Sequence, residues 1–582
     1  MTIPDTSRAS LLESLRKTRH VPVLIVGGGI NGIGTFRDLS LQGVNCILVE
    51  KGDFCAGASR APSRMIHGGL KYLETGEFRL VRESAAERNR LLANASHYVR
   101  PLEMIIPIYS WFGGTLAALR KFLRLPAKLD QRGALVIKLG LALYDIYGAF
   151  NRAMPRHRMI ARSDILREIP DLDPGIKLAA SYYDAWITSP ERLVLELALD
   201  GMAAKPGNLA LNHLRFTGVN GNQVQLQDVA SGETFSLTCD IMLNAAGAWI
   251  DRVNTAAGES RKMIGGTKGS HLMLNLPAFA KTLHGRMLYF EAEGGRICIV
   301  SNFMGHVLLG STDLPHDDPD RVICEDSEVD YLLSAFRRIF PQIDVTRADI
   351  FFSYAGVRPL PANSADDPGA ISRDHSLPEL PPTATRSFPI LSLVGGKWTT
   401  FRAFSEQVSE AVTRRLNLPR QTATTDKAIG GGVGLSQQTA PTEHLLTVLT
   451  KETQLTRDRA MQLINRYGAR ARLVAQALGS DQGLIFLPEL SRQEIAILCQ
   501  TELVQHAEDL LFGRTTLFME RPLPFSALQE LVHEMGELLD WSAKRHQDEL
   551  DRLLARYRSL HRIEVPRDGE SGPFFQEGVQ GP

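Results

Sequence analysis

The chain has 582 residues, of which 44% are hydrophobic, and its 65 Lys and Arg residues balance 65 Asp and Glu residues to give a formal net charge of zero. This length predicts two or more domains, and zero net charge excludes a general attraction to nucleic acid or to an acidic surface, so that ionic recognition must come from local clusters. The six cysteines form no CxxC pair and have no histidine cluster beside them, which argues against a metal site or a disulfide framework and favours a reducing, cytoplasmic setting.

The first fifty residues predict a polar start followed by strand, turn, helix and strand. The first twenty contain no apolar segment of the kind that a secretory signal needs. Val21–Val26 is a short apolar run typical of a buried strand, and Val44–Val49 is a second one. The helix between them is predicted to run to about Gln42 and to end at Gly43.

The turn after the first predicted strand carries the pattern GxGxxG at Gly27, Gly29 and Gly32. Glycines let the backbone approach a pyrophosphate, and the start of the following helix offers free N–H groups and the positive end of its dipole. Glu50 ends the second strand, where a carboxylate accepts hydrogen bonds from ribose hydroxyls and repels the extra phosphate of NADP. The pattern predicts dinucleotide binding over its alternative, a glycine-rich turn in an ordinary βαβ unit, but it does not separate NAD from FAD.

The next segment, EKGDFCAGASRAPSRMIHGGLKYLE from Glu50 to Glu74, is rich in small and polar residues. It shows no second βαβ pattern. A loop of this composition can follow an extended bound cofactor and bring side chains to its reactive ring.

Residues 104–150 raise the question of membrane contact. The uncharged run 104–119 is broken by Pro107 and by a glycine pair, and its sixteen residues fall short of the roughly 18 that a spanning helix needs. Segment 116–132 is basic and amphipathic, and segment 134–150 is strongly apolar. Two interpretations stay open, namely a surface helix in the lipid headgroup region or a packed helical pair with a solvated basic face.

The remainder of the chain predicts loops and then helices. Residues 361–386 form a Pro- and Asp-rich loop that is expected to fold over the active site, and 421–437 is interpreted as a linker. From about 440 the apolar spacing is helical, as in the stripe formed by Leu528, Leu531, Val532, Met535, Leu538 and Leu539. The tail from Glu564 is expected to be disordered.

Taken together, the motifs of residues 20–545 resemble those of the FAD-dependent, aerobic and respiratory glycerol-3-phosphate dehydrogenases. The matching stretches, in chain order, are GGGINGIG, VEKGDF, SRMIHGGLKYLE, EFRLVRESAAERNRLL, NAAGAWIDRV, GGTKGSHLML, VLLGSTDLP, SYAGVRPL, AISRDHSL, LVGGKWTTFRAFSEQV and QHAEDLLFGRTTLF.

The resemblance implies an α/β FAD-binding (Rossmann-like) domain, a mixed-sheet substrate domain and a C-terminal all-helical domain. The expected segments are 20–100, 185–260 and 355–405 for the first, 101–184 and 261–354 for the second, 438–562 for the third, and 563–582 for the tail. It also implies oxidation of sn-glycerol 3-phosphate to dihydroxyacetone phosphate by hydride transfer to flavin N5. Electrons would pass to membrane quinone, from a monotopic protein, often dimeric, on the inner face of the cytoplasmic membrane.

The resemblance assigns roles to individual residues. His67 is expected to handle the proton or orient the substrate, Arg358 to stabilise a developing alkoxide, and Lys397 to sit near flavin and substrate. The residues expected to hold the phosphate are Lys71, Tyr72 and Arg373. The residues expected to contact the cofactor are Gly27, Gly29, Gly32, Glu50, Lys51, Ser59, Ser63, Ala246, Gly247, Gly396, Thr399 and Thr400.

Lys71 departs from the family pattern, which usually has arginine there. Arginine grips a phosphate with two parallel bonds, whereas lysine offers a compact point charge. A related polyol phosphate such as erythritol phosphate therefore stays open as the substrate. Separately, oxygen stays open as the electron acceptor. A flavoprotein that only binds a ligand or a membrane predicts loss of the base and the cations, and His67, Arg358, Arg373 and Lys397 are all present.

Overall fold

The computed structural model describes residues 7–73, 76–113, 132–147, 154–362, 374–436, 439–479 and 481–568. Arg373, nearly all of the amphipathic segment 116–132 and the tail beyond Asp568 lie outside the described residues, and so does the side chain of Lys71. Within the described part, no helix combines the length and the apolar character needed to cross a bilayer.

The described helices are α1 (Arg8–Lys17), α2 (Ile30–Leu41), α3 (Phe78–Asn94), α4 (Ala134–Tyr147), α5 (Arg162–Glu168), α6 (Pro190–Ala204), α7 (Ile250–Ala256), α8 (Pro277–Thr282), α9 (Asp326–Ile339), α10 (Phe401–Arg415), α11 (Thr439–Glu452), α12 (Arg457–Tyr467), α13 (Ala471–Leu478), α14 (Arg492–Thr501), α15 (Ala507–Asp509), α16 (Leu517–Glu520), α17 (Phe525–Leu538) and α18 (Ala543–Leu560). Short 3-10 turns at Leu70–Leu73 and Trp398–Thr400 belong to the site described below.

The described strands are β1 (His20–Val26), β2 (Cys46–Val49), β3 (Met65–Ile66), β4 (Val99–Ile108), β5 (Arg158–Ala161), β6 (Leu178–Ile187), β7 (Leu209–Leu211), β8 (Leu214–Asn220), β9 (Gln223–Asp228), β10 (Thr234–Asn244), β11 (Thr267–Leu274), β12 (Met287–Glu291), β13 (Ile297–Phe303), β14 (His306–Gly310), β15 (Leu314–Pro315), β16 (Ile350–Arg358), β17 (Glu379–Leu380) and β18 (Ile390–Ser392).

The first sheet has the order β17-β18-β10-β1-β2-β7, with the β8–β9 hairpin attached to β10. Its centre, β18-β10-β1-β2-β7, is parallel. The apolar run of β1 is buried because helices α2, α6 and α10 pack over one face of the sheet. A second apolar cluster covers the other face, as expected of a parallel sheet. The predicted strand–turn–helix–strand order is confirmed. The second strand begins two residues later than predicted, because the Val44 N–H still donates to Leu39 O at the end of α2.

The second sheet is mixed and has the order β15-β11-β14-β13-β12-β4-β6-β3, with β16 beside β11 and β5 beside β6. Only the β12–β4 pair among these is parallel. Helices α8 and α9 cover one face with an apolar core. The antiparallel register of β11 on β16 sets Thr267 opposite Arg358 and His271 opposite Tyr354, so residues far apart in sequence face each other at the site.

Helices α11–α18 enclose a separate apolar core that also takes up Phe352 and Tyr354 of β16. Four residues of the predicted stripe in α17 are buried, and Leu538 and Leu539 are partly buried. The interpretation of 421–437 as a linker is wrong for its middle, because Gly430–Gly432 form a buried 3-10 turn whose amides donate to acidic side chains of α6. The predicted loop 361–386 contains the short strand β17. The domain boundaries proposed from sequence stay a prediction.

Candidate active site

A cleft of about 960 Å³ opens where the parallel strands β1, β2, β10 and β18 end, and it continues to the end of β16 in the second sheet. Ligands bind at the carboxyl ends of strands in sheets of this kind. Predicted site residues that line it are Gly27, Gly29, Glu50, Lys51, Ser59, Ser63, His67, Tyr72, Ala246, Gly247, Arg358, Gly396 and Lys397.

The glycine-rich turn of the cleft tolerates no side chain. Gly27 has φ +118°, and a Cβ there would lie 2.5 Å from Ala245 O. A Cβ on Gly32 would lie 2.0 Å from Gly27 O, so Gly32 brings α2 against the turn without lining the cleft itself. Gly29 precedes α2 and has no side chain to cap it. Ile30 N–H, the first amide of α2, donates to Ser59 Oγ at 3.0 Å. The helix start lines the cleft with its following N–H groups, which fits the pyrophosphate of a dinucleotide.

Glu50 is fixed at the end of β2 by two backbone amides. Gly28 N–H donates to one carboxylate oxygen at 2.7 Å and Gly52 N–H donates to the other at 2.9 Å. Each oxygen keeps a lone pair for a ribose hydroxyl. Lys51 beside it pairs with Asp320 at 3.3 Å and lies 4.2 Å over the Trp249 ring. Trp249 was not predicted, although the aromatic in NAAGAW was a signal for it.

The loop after β18 closes onto the same turn. Gly395 and Gly396 have φ values of +76° and +97°, a backbone that favours glycine. The Asn31 amide of α2 donates to Gly395 O at 3.2 Å, and the Trp398 indole donates to Ser59 O at 2.9 Å. These bonds join the loop that carries Lys397 to the loop that carries Ser59. The cradle thus fits an extended flavin dinucleotide such as FAD.

The HGGL stretch supplies the other end of the cleft. The His67 and Tyr72 rings lie 6.0 Å apart, and Lys397 Nζ lies 4.1 Å over the Tyr72 ring while donating to Ser84 Oγ at 2.8 Å. Gly69 has φ +84°, and a Cβ there would lie 2.4 Å from the Tyr72 ring. Glycine is therefore needed for Tyr72 to fold back beside Lys397.

A buried network anchors this stretch from behind. The Gly68 N–H donates to Asp184 Oδ1 at 2.9 Å, and the same oxygen accepts from Tyr144 Oη at 2.6 Å and from Arg88 at 2.8 Å. Burial, followed by the Asp184 charge, raises the pKa of Tyr144 well above its ordinary value, so its hydroxyl stays protonated and donates. Helix α4, which carries Tyr144, thereby holds the loop that presents His67.

Arg358 ends β16 and points into the cleft from the second sheet. Its guanidinium donates to Asp313 at 2.9 Å, to Ser311 Oγ at 3.2 Å and to Thr312 O at 3.3 Å. A Cβ on Gly269 of the neighbouring strand would lie 2.2 Å from this guanidinium. The sequence GGTKGSHL thus leaves room for the arginine at a position that strand pairing fixes.

His271 lines the cleft and was not singled out from sequence. It is 1% exposed, stacks on Tyr354 at 4.8 Å, and its Nε2 lies 2.8 Å from Ser63 Oγ. Burial first, then the charges of Arg358 and Arg64, lowers its pKa to about 3, so the ring is neutral at physiological pH. Its neighbours in the sequence, Ser270 and Leu272, gave no local signal for this position.

Several predicted residues do not line the cleft. Thr399 and Thr400 are each 1% exposed, and Thr399 Oγ donates to His67 O at 3.1 Å, which fixes the backbone that carries the histidine. A direct contact of Gly32, Thr399 or Thr400 with cofactor stays a prediction. So do the phosphate contacts of the Lys71 side chain and of Arg373, which lie outside the described residues.

Comparisons with known proteins agree with this geometry. Residues 22–380 match the family described as FAD dependent oxidoreductase, and residues 391–546 match the C-terminal domain of alpha-glycerophosphate oxidase. The glycerol-3-phosphate dehydrogenase of Synechocystis sp. is 33% identical over 92% of this chain and 95% of its own length. The aerobic glycerol-3-phosphate dehydrogenase of Escherichia coli is 30% identical over 85% of this chain and 93% of its own.

Two further relatives define the fold and the range of the family. The solved structure of the Bacillus halodurans glycerol-3-phosphate dehydrogenase complexed with FAD has a TM-score of 0.74 and 22% identity, covering 95% of this chain and 97% of that chain, so the fold is shared. The D-erythritol 1-phosphate dehydrogenase of Brucella abortus is 30% identical over 85% of this chain and 94% of its own. This chain belongs to the FAD-dependent glycerol-3-phosphate dehydrogenase family, and FAD is its cofactor.

Proposed function

We propose that the protein oxidises sn-glycerol 3-phosphate to dihydroxyacetone phosphate. The observation that carries the proposal is the cluster of Lys397, Tyr72 and His67, which lines the same cleft as Arg358 and the dinucleotide cradle. A phosphorylated alcohol needs a cation for its dianion, a group that takes the hydroxyl proton, and a donor for the developing alkoxide. The cluster and Arg358 together offer all three.

The phosphate is assigned to Lys397 and Tyr72. Lys397 Nζ is tethered by Ser84 and held over the Tyr72 ring, so its position is fixed before the substrate arrives. An ammonium and a phenol donate charge-assisted hydrogen bonds to a phosphate. Lys71 and Arg373 are proposed to complete this pocket.

The reacting carbon is assigned to His67 and Arg358. His67 accepts the hydroxyl proton on an imidazole nitrogen, and Arg358 donates to the oxygen as it gains negative charge. FAD, when bound, supplies the acceptor for the hydride that leaves the carbinol carbon. His271 stays neutral and holds Ser63, which lines the cleft beside it. Loss of one proton and one hydride converts the secondary alcohol to a ketone.

Anaerobic bleaching of the bound flavin tests the substrate assignment. FAD-loaded protein is mixed, in the absence of oxygen, with one compound at a time, and the flavin absorbance is followed. The compounds are sn-glycerol 3-phosphate, its enantiomer sn-glycerol 1-phosphate, free glycerol, and phosphates of erythritol. Rapid bleaching by sn-glycerol 3-phosphate, with little by the enantiomer or by glycerol, is expected. If none of these compounds bleaches the flavin, the proposal is contradicted.

A second candidate is a polyol-phosphate dehydrogenase with a longer substrate. The Brucella abortus D-erythritol 1-phosphate dehydrogenase is as similar to this chain, at 30% identity, as the Escherichia coli glycerol-3-phosphate dehydrogenase is. Lysine at position 71 instead of the usual arginine favours the same alternative. Faster bleaching by D-erythritol 1-phosphate than by sn-glycerol 3-phosphate would establish this second assignment.

A membrane surface is proposed as the working location, with quinone as the electron acceptor. The support is a group of exposed apolar side chains on either side of segment 114–131, including Trp111 at 55%, Phe112 at 73% and Leu139 at 63% exposure. Exposed aromatic and aliphatic side chains beside a basic segment are typical of interfacial binding to the inner face of the cytoplasmic membrane. A homodimer is a further proposal from the resemblance alone.

Flotation with anionic liposomes tests the surface. The double change Trp111→Ser and Phe112→Ser is expected to move most of the protein from the floating to the soluble fraction. Ile485→Ser is the matched control, because Ile485 is 84% exposed but lies in the C-terminal helical region. Equal flotation of all three proteins would refute Trp111 and Phe112 as the contact surface, and no flotation of the wild type would refute membrane contact itself. Faster turnover with oxygen than with a short-chain quinone would refute the acceptor.

A further inference from the structure

Three side chains of metal-binding types meet on the outside of the C-terminal helical domain, at the turn between α17 and α18. His533 and Glu537 lie on the exposed side of α17, and His546 lies near the start of α18. Residues four apart share one face of a helix. One ligand atom from each of the three side chains lies within 4.8 Å of the other two. All three lie outside the described lining of the flavin cleft.

The His546 ring is held in the orientation and tautomer that a metal ligand needs. Its Nδ1 lies 3.1 Å from Ser542 O. A carbonyl only accepts, so Nδ1 carries the proton and Nε2 keeps its lone pair. Metal-binding histidines generally donate their second ring N–H to an acceptor of this kind. The Trp541 ring meets His546 edge-on at 6.0 Å and further restricts it.

Gly536 gives this ring room against α17. A Cβ at Gly536 would lie 1.9 Å from His546 Nε2, so only glycine allows the ring its position. Glycine is unfavourable in the interior of a helix, and here it admits the imidazole. Gly536 is three residues after His533 and directly before Glu537, which places it on their side of the helix. The Nε2 lone pair therefore lies against the face of α17 that carries the other two ligands.

The charge at this point favours a cation. Glu537 is in the last turn of α17, where the helix dipole is negative and where the helix has no basic residue. Among the described residues, the Glu537 carboxylate has no hydrogen bond or ion pair. The ring of His533 lies 6.3 Å from the ring of His546 and makes no hydrogen bond within the same part of the chain. A bound cation would neutralise the carboxylate and use both imidazoles.

A second group of such side chains, formed by Asp53, His213 and Asp509, is different because its members are buried and already satisfied. Arg514 donates to both oxygens of Asp53, at 2.8 and 3.0 Å. His213 Nε2 lies 3.0 Å from Asp509. A cation would have to displace these partners, which distinguishes the buried group from the exposed one.

We propose that His533, Glu537 and His546 bind a divalent transition-metal ion, for which Zn²⁺ is the best-fitting choice. Two imidazole nitrogens and a carboxylate oxygen bind Zn²⁺ with bonds of about 2.0–2.2 Å and leave the fourth position to water. Tetrahedral ligands at that distance lie about 3.3 Å apart, so the exposed His533 and Glu537 side chains rotate slightly inward. Mg²⁺ and Ca²⁺ prefer oxygen ligands and do not fit. The bound ion cross-links α17 to α18.

Calorimetry on the FAD-loaded protein tests the site. Protein without a histidine tag is treated with a chelator, dialysed, and titrated with zinc chloride or, separately, with magnesium chloride. We expect one tight Zn²⁺ site per chain and no binding of Mg²⁺ over the same concentrations. No Zn²⁺ binding, or equal binding of the two ions, would overturn the proposal.

Variants of the exposed ligands locate the ion. His533→Gln and Glu537→Gln each remove one ligand from the surface, and each is expected to weaken Zn²⁺ binding at least about tenfold. His444→Gln changes an exposed histidine of α11 outside the group and is the matched control with unchanged affinity. Equal Zn²⁺ affinity in the wild type and all three variants would place the ion elsewhere and contradict the proposal.

Gly536→Ala separates a built site from chance binding by two side chains of α17. This change keeps all three ligands but displaces the His546 ring, so Zn²⁺ binding should weaken at least about tenfold. Unchanged affinity in folded Gly536→Ala protein would contradict the proposal, and His546→Gln gives the same test if Gly536→Ala does not fold. Circular dichroism and FAD content report the fold. Because the readout is Zn²⁺ binding, it holds whatever substrate the flavin oxidises.

Discussion

The two ends of the flavin cleft are built in different ways. The cofactor end is mainly backbone, from the turns after β1 and β2 and from the loop after β18. Gly27 and Gly32 leave no side chain there, and Glu50 is fixed by neighbouring amides. The substrate end is a set of side chains that distant segments bring together, with His67, Arg358 and Lys397 on three separate elements. In the proposed function, backbone at the first end binds the cofactor and side chains at the second end carry out the reaction. The two should therefore fail separately when changed.

The largest expected effect is loss of FAD from the cofactor end. Gly32→Ala places a Cβ 2.0 Å from Gly27 O, so the glycine turn has to open. We expect a folded protein that is purified without flavin and is inactive. Gly140→Ala is the control, since a Cβ there meets nothing within 4 Å in helix α4 and adds about 0.5–1 kcal/mol of helix stability. Flavin absorbance per protein decides the outcome, and full flavin content in Gly32→Ala would contradict the account.

Next in size is the loss of rate at the substrate end with FAD retained. Arg358→Gln removes the charge that is proposed to face the developing alkoxide, and loss of one such donor costs about 10²–10³ in kcat. We expect full flavin content and flavin reduction by sn-glycerol 3-phosphate slowed by that factor. Arg347→Gln, which removes an ion-paired arginine far from the cleft, provides the control. If Arg358→Gln lost both its flavin and its rate of flavin reduction, the two ends of the cleft would not fail separately, and the account would be contradicted.

Lys397→Met is expected to have a smaller effect that is confined to phosphate recognition. A hydrogen bond to a charged group contributes about 1.5–3 kcal/mol, so KM for sn-glycerol 3-phosphate should rise about tenfold to hundredfold. Lys51→Met changes an exposed lysine at the cofactor end and should leave this KM unchanged. Steady-state kinetics with an artificial acceptor measures both. An equal rise in KM in the two variants would show that the lysines act only through general charge.

The smallest expected effect is on stability as a function of pH. His271 has its ordinary pKa of 6.5 when unfolded and about 3 when folded, so between these values the unfolded chain binds one more proton. The stability that the neutral ring confers is complete above pH 6.5 and falls as the pH drops, by about 1.4 kcal/mol per pH unit. His271→Asn should reduce the slope of the unfolding free energy by that amount. Urea unfolding at pH 7, 6 and 5 measures it, and an unchanged slope would contradict a buried neutral His271.

The same comparison explains how much could be predicted from sequence. The cofactor end was predictable because its determinants are local, with Gly27, Gly29, Gly32 and Glu50 at fixed spacings between two apolar runs. The roles of His67, Arg358 and Lys397 came from resemblance, since their proximity depends on the pairing of β11 with β16 and on the loop after β18. Burial of His271 follows from strand register, and the Gly430–Gly432 turn is buried through contacts with α6, so neither has a local signal.

The most direct test of the central claim is a crystal structure of the FAD-loaded protein with sn-glycerol 3-phosphate bound without turnover, in the Arg358→Gln variant. The account predicts FAD lying along the glycine turn and Glu50, the phosphate within hydrogen-bond distance of Lys397 Nζ and Tyr72 Oη, and the carbinol oxygen beside His67. A phosphate held elsewhere in the cleft, with the carbinol away from His67, would contradict it.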